Sequence, residues 1–226
     1  TDAVGAVTRG LDTAVEGAPL VVYNPLAIER EDLVDVEVFF TTGAPERLAI
    51  YDPAGAPVPS QVRPHTNHSV VVTFPARVPP LSWSVYTLRP GRDEPPATSA
   101  LRVTERTLEN EHYVVTLNDD GDVAGIVDKA QGGRELLAGP ARLVFTYEKP
   151  EQWPAWNMDW ADRQKPPIDM VRGPAKVTVV ERGPVRVALR VEREASGSIF
   201  VQEIRLTAGD AGRRIEFHNE IDWQSA

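Results

Sequence analysis

The strongest constraint on this chain is alternation with a period of two near its C-terminal end. In PVRVALRVER (184–193), Val185, Val187, Leu189 and Val191 fall on one face. In SIFVQEIRL (198–206), Phe200, Ile204 and Leu206 share a face interrupted by Gln202, and in RIEFHNEIDW (214–223), Ile215, Phe217, Ile221 and Trp223 do so. Successive side chains of a strand point to opposite faces, so these segments read as half-buried strands. Glycine-containing turns between them predict an antiparallel meander. No heptads, repeats or long amphipathic helix interrupt this reading, and 20 prolines and 16 glycines favour short strands and turns. The fold class is therefore all-β.

Upstream, the same signals recur. PLVVY (19–23), LVDVEVFF (33–40), SVVVTFP (69–75) and SWSVYTL (82–88) read as strands, with a β-turn at DPAG (52–55). In the second of them Val34, Val36 and Val38 oppose Asp35 and Glu37. This predicts a small β-sandwich over residues 18–90. Residues 1–17 read as a disordered lead or a fragment of a preceding element, and the proline-rich stretch 91–100 as a linker. Residues 101–226 form the second region. HYVVTL and DVAGIVD flank the turn NDDG (118–121) as a hairpin, with Gly121 free to take positive φ. RLVFTYE (142–148) is a further strand, RELLAG (134–139) suggests one helical turn, and residues 149–174 form a long loop.

A formal net charge of −9 with no basic block argues against nucleic acid as a partner. No apolar run approaches the roughly 20 residues of a membrane span, and no signal peptide is evident. Without cysteine there is no disulfide and no thiolate chemistry. These features favour a cytoplasmic location.

The order of segments resembles the C-terminal β-rich half of family-38 glycoside hydrolases, the α-mannosidases. VVYNPLAIERED (21–32), IYDPAGAPVPSQV (50–62), LENEHYVVTLNDDGDVAGIVDKAQGGRELL (108–137), RGPVRVALRVER (182–193) and IRLTAGDAGRRIEFHNEIDW (204–223) carry the likeness, the third most specifically. The resemblance implies a small β-sandwich followed by a mutarotase-like antiparallel β-supersandwich, here truncated. It also implies a partner: the family's N-terminal catalytic barrel, with an aspartate nucleophile, a second carboxylic acid and zinc. That barrel is far longer than the stretch ahead of Val21. The chain thus reads as a non-catalytic piece of a longer enzyme, cut at both ends, with no catalytic residue and no metal of its own. Such a cut predicts an unpaired edge or an uncovered apolar face near Trp223, and self-association through it.

The residues themselves supply few rivals to that reading. His218, Glu220 and Asp222 alternate on one strand face, and His65 and His68 share a polar loop; both fit solvated surfaces better than metal sites. Glu148, Glu151, Asp159, Asp162 and Asp169 crowd the loop without evident pairing. His112, His218, Glu203 and Glu216 are the parts available for mutarotase-type acid–base work.

The loop also holds WPAWNMDW (153–160), three of the chain's five tryptophans. Exposed Trp153, Trp156 and Trp160 would stack on sugar rings, with Asn157 and Asp159 bonding hydroxyls. In some family members the equivalent loop reads Trp-Asp-Ala-Trp-Asp and lies toward the active-site side; here Pro154 and Asn157 replace two aspartates. Three roles stay open for the cluster: docking against the barrel, lining a mannoside pocket, or packing locally. A free-standing carbohydrate-binding module is the alternative from another class.

Overall fold

The computed structural model describes residues 2–43, 45, 47–91, 100–154 and 156–224. It is all-β, and no helix among the described residues is long and apolar enough to cross a membrane. The chain divides into two compact units. The first comprises residues 1–100 with 183–185 and 207–213, and the second comprises the remainder.

In the first unit a four-stranded sheet and a three-stranded sheet face each other across one core. The larger orders β1 (Ala18–Asn24), β7 (Ser82–Pro90), β3 (Leu48–Tyr51) and β4 (Pro57–Val58); the smaller orders β2 (Arg30–Phe39), β6 (Ser69–Val78) and β5 (Gln61–Thr66). Phe74, Val72 and Ile50 are fully buried between them, and Val34, Val36 and Val38 of β2 pack against this cluster, as their alternation predicts. Within the Asn-Pro-Leu segment, Asn24 is buried, and its amide nitrogen reaches the carbonyls of Ile28 (2.7 Å), Val78 (3.1 Å) and Pro79 (2.9 Å). One side chain thus ties the end of β1 to the β6–β7 turn. Asp52 organises the expected turn by accepting the Ala54 and Ala56 amides at 2.9 and 2.8 Å, with Gly55 at φ +83°.

Residues 1–17, read as a disordered lead or a fragment of a preceding element, contain a seven-residue helix, α1 (Asp2–Thr8). The Thr8 hydroxyl anchors it, meeting the Val4 carbonyl (2.8 Å) and the Tyr23 hydroxyl (2.7 Å). The stretch read as a linker lies outside the described residues except at Gly91 and Ala100.

The second unit pairs two larger sheets over a second core. One orders β12 (Arg134–Glu135), β11 (Val123–Asp128), β10 (Tyr113–Leu117), β9 (Thr107–Glu109) and β8 (Arg102–Val103). The other orders β15 (Lys176–Arg182), β16 (Arg186–Ala195), β17 (Ser198–Thr207) and β18 (Ile215–Asp222). Leu108, Val115 and Val123 of the first sheet meet Val187, Leu189, Val191, Ile204 and Leu206 of the second, all at 1% exposure or less. A two-stranded ladder, β13 (Val144–Phe145) with β14 (Asp169–Met170), frames the long loop, which holds the one-turn helix α2 (Trp160–Arg163).

Local chemistry explains where the sequence reading holds and where it fails. The NDDG hairpin forms with Gly121 at φ +78°, and a Cβ there would lie 2.6 Å from both Ala175 Cβ and Val191 Cγ1. Only glycine satisfies both demands. RELLAG is not helical. Gly132 and Gly133, at φ +69° and +82°, return the chain beside β11, and Glu135 accepts the Ile126 (2.8 Å) and Leu137 (2.9 Å) amides. The Leu137 and Ile126 amides hold its carboxyl below the usual carboxylate range. The meander also has a fourth strand, β15, that the patterning did not single out. Its register shifts between Val179 and Glu181, so a bulge sets Glu181 opposite Ala188, on the face of the sheet that carries Arg186 rather than on that of Val177 and Val179. There Glu181 meets Arg186 in a two-pronged ion pair, Nε–Oε2 and Nη2–Oε1 both 2.8 Å, with both side chains at most 3% exposed.

Candidate functional site

The loop between β13 and β14 is an ordered hairpin whose rungs change character along its length. At its base the Ile168 amide donates to the Phe145 carbonyl (2.9 Å), continuing the ladder. Further out, side chains replace backbone acceptors. The Lys149 amide donates to Asp162 Oδ2 (2.8 Å), and the Glu151 amide donates to Asp159 Oδ2 (3.1 Å). At the tip the Asn157 amide donates to the Trp153 carbonyl (2.9 Å). The rungs 149/162, 151/159 and 153/157 are nested, so two aspartates do the work that a β-ladder does in a shorter hairpin. The Asp159 carbonyl also receives the Asp162 (3.0 Å) and Arg163 (3.2 Å) amides, which starts α2.

Asp162 is the anchor of this frame. Its side chain is 8% exposed, and Oδ1 receives the Lys165 ammonium at 2.7 Å. The Lys165 hydrogen bond and the Lys149 amide hold the Asp162 carboxyl below its ordinary range, and Asp162 in turn raises the Lys165 ammonium. Lys165 Nζ also sits 4.1 Å above the Tyr147 ring, a cation–π contact. Sequence reasoning noted Asp162 as an acidic loop residue but missed this role, because the two halves of the frame are thirteen residues apart and carry no periodic signal.

The tip presents the tryptophans outward. Trp153, Trp156 and Trp160 are 61%, 80% and 71% exposed. The Trp153 and Trp156 rings lie parallel within 9°, centroids 6.5 Å apart. Trp153 adopts φ +58°, an uncommon conformation for a bulky residue, held by the Asn157 and Trp156 amides that both donate to its carbonyl. The Arg163 guanidinium lies 6.0 Å from the Trp160 ring. Asn157 and Asp159 are occupied within the frame. Asn157 Nδ2 donates to Asp159 Oδ1 (3.0 Å) and to the Gln152 carbonyl (3.3 Å). The five residues read as sugar contacts are thus brought together, three as an outward aromatic surface and two as its support.

The other candidates scatter. Among the described residues no three His, Asp or Glu side chains gather as a metal site. His65 lies on the exposed strand β5, not in a loop, and faces Glu37 at 3.7 Å, and His218, Glu220 and Asp222 line the solvent side of β18. Glu203 and His218 are cross-strand neighbours, but Glu203 accepts Arg205 Nε (2.7 Å) and Glu216 accepts Arg214 Nε (2.7 Å). Their charges are engaged with arginine.

Two comparisons bear on identity. The chain has no match among curated proteins. A family model described as the glycosyl hydrolases family 38 C-terminal domain matches residues 108–226, just over half of the chain. That match takes in the 118–122 hairpin, the tryptophan loop and the whole β15–β18 sheet. An antiparallel two-sheet unit with these segments in this order leads to one assignment: the chain belongs to glycosyl hydrolase family 38 and carries its C-terminal domain.

Proposed function

We propose that this chain is the non-catalytic β-region of an α-mannosidase-type hydrolase. In that reading it supports a zinc-dependent catalytic domain and presents the tip of the tryptophan loop to that domain at the rim of the sugar pocket. The observation that carries the proposal is the contrast within the loop: its polar groups are bonded inward, while three indoles face out. A loop built for solvent alone has no need to hold aromatic surface rigidly exposed. In this reading the metal and the reacting carboxyls belong to the catalytic domain.

The purified chain supplied with zinc is expected to leave an aryl α-mannoside intact; turnover would overturn the proposal. In an enzyme that includes the catalytic domain, replacing Trp153, Trp156 and Trp160 by alanine is expected to raise KM several-fold with kcat little changed. Unaltered KM and unaltered domain association together would remove the loop from the pocket.

A second reading draws on the parallel Trp153–Trp156 pair. Two exposed, parallel indole faces also suit stacking on the apolar face of a pyranose without a catalytic domain. Titration of the chain with mannose and mannobiose, followed by tryptophan fluorescence, separates the two. A saturable, tryptophan-dependent response favours an autonomous binding module.

A further inference from the structure

The tryptophan loop has two legs, residues 141–143 leading into β13 and residues 171–175 leading out of β14, and both are tied to the 118–122 turn. The incoming leg is tied by backbone. The Ala141 amide donates to the Val123 carbonyl (2.9 Å), one residue past the turn. Arg142 adds a loose ion pair, Nε to Asp122 Oδ2 at 3.9 Å. The outgoing leg is tied by a side chain, with the Gly173 amide donating to Asp120 Oδ1 (3.1 Å). Packing at this point is close. A Cβ on Gly173 would stand 3.1 Å from the Asp119 carbonyl oxygen and from Asp120 Cα and Oδ1. Two residues further along this leg, Ala175 lies against Gly121. The legs are joined to each other by the Val171 amide, which donates to the Leu143 carbonyl (2.9 Å).

The turn is itself anchored on the β15–β18 sheet. Arg193 of β16, its side chain 1% exposed, donates from Nη1 to Asp122 Oδ1 (2.6 Å) and to the Asp120 carbonyl (3.3 Å). Asn118 closes the turn. It accepts the Asp122 amide through Oδ1 (2.9 Å) and the Gly121 amide through its carbonyl (3.1 Å). Closure thus uses Asn118 and Gly121, whereas the Asp120 carboxylate is directed out of the turn, to a backbone amide 53 residues along the chain. A side chain that its own turn does not need serves the segment it holds.

We propose that the 118–122 turn aims the tryptophan loop, with Asp120 as the positioning residue. The rungs 149/162, 151/159 and 153/157 are internal to the loop, so they fix its shape and not its direction. Direction is set where the legs leave the sheet. There the Asp120–Gly173 bond joins the outgoing leg to a turn held by buried Arg193. Trp153, Trp156 and Trp160 are then presented at one fixed orientation, and binding at the tip does not have to order them. The consequence for sugar affinity rests on the rim placement proposed above; the aiming of the loop does not.

The 226-residue chain has no cysteine, so spin labels can be set at two chosen exposed sites, Gln152→Cys near the tip and Thr178→Cys on β15. Pulsed electron-spin distance measurement is expected to give one narrow distribution. Asp120→Ala is expected to broaden it and to speed amide exchange at Gly173 about tenfold, with exchange at Lys149 and Glu151 unchanged. Asp120→Asn keeps an acceptor oxygen for the Gly173 amide and is expected to keep both readings at the parent's values. In an enzyme that includes the catalytic domain, Asp120→Ala is expected to raise KM several-fold with kcat little changed, and Asp120→Asn to leave KM as it was. A distribution that stays narrow in Asp120→Ala, or broadens equally in Asp120→Asn, would overturn the proposal. So would a rise in Lys149 exchange equal to that at Gly173, since the loop would then have lost its frame and not its direction. A broadened distribution with KM unchanged would refute the rim placement, and the effect on sugar affinity with it.

Discussion

Two regions of the second unit use acidic side chains in opposite ways. In the sheet, Glu181 is buried and held by Arg186, with both charges withdrawn from water. In the loop, Asp162 and Asp159 accept backbone amides from across a hairpin, and lysine enters only as a third partner of Asp162. The sheet pair sits at a strand bulge, with both side chains at most 3% exposed. The loop carboxylates replace a missing ladder at the surface. Removing a partner in the first case strands a charge in the interior, which the whole fold feels. Removing one in the second frees a backbone amide that water can reach, and the consequence stays local.

The comparison is most directly broken at Glu181. Glu181→Ala removes the carboxylate that the buried Arg186 guanidinium holds at two points and is expected to lower unfolding free energy by about 3–5 kcal/mol. A denaturant midpoint little changed from the parent would show that the bulge, not the pair, sets this corner. Gly121 is next. Gly121→Ala forces a Cβ onto Ala175 and Val191 at φ +78°, and a loss of about 2–3 kcal/mol is expected from strain and overpacking. Thermal unfolding reads it, and a stabilised variant would mean the hairpin re-forms with a different turn.

At the loop the expected effects are smaller and local. Asp162→Asn keeps the shape and removes the charge that draws Lys165. Amide exchange at Lys149 should rise and acrylamide quenching of the tryptophans should change, while the denaturation midpoint moves less than for Glu181→Ala. A midpoint shift as large as the Glu181 variant's would erase the distinction between the regions. The same frame carries a pH dependence whose sign is set by the lowered Asp162 carboxyl. A carboxyl depressed in the folded state stabilises the fold above its unfolded value and loses that contribution as pH falls through the folded value. The loop should therefore hold its tryptophan emission unchanged from neutral pH down to the ordinary aspartate value of about 3.9, and loosen only in stronger acid. Loosening near pH 6 would place another group in control. The smallest effect is expected at the tip. Asn157→Asp sets a second carboxylate against Asp159, costing less than about 1 kcal/mol at neutral pH and recovering in acid. Pulsed exchange at Trp156 and Asn157 measures it.

The strands of both units were legible because burial on one face leaves a period of two in the letters. β2, β6, β10, β16, β17 and β18 each show it. The turns at Asp52 and Gly121 were legible because their chemistry is local: a side chain that bonds two residues on, and a glycine where φ is positive. RELLAG was misread because its composition suits a helix, whereas Gly132, Gly133 and the Glu135 contacts with β11 decide for a strand. β15 was hidden by its bulge, which moves Glu181 off the face of Val177 and Val179 and onto that of Arg186.

The candidate site divides along the same line. The clustering of Trp153, Trp156 and Trp160 is a property of the sequence, and so is the family likeness from 108 onward. That the indoles face outward, and that Asn157 and Asp159 serve the frame, was decided by tertiary contacts. Hydrogen bonds from 149 to 162 and from 151 to 159 join residues whose spacing follows no repeat. The sequence alone therefore determined that this chain is all-β, where most of its strands and turns lie, and which family it resembles. Only the folded structure decided which acids are buried with arginine and which hold the loop. Those outcomes depend on what packs opposite each side chain, and a linear pattern carries that information only when the opposing partner lies within the same strand pair or turn.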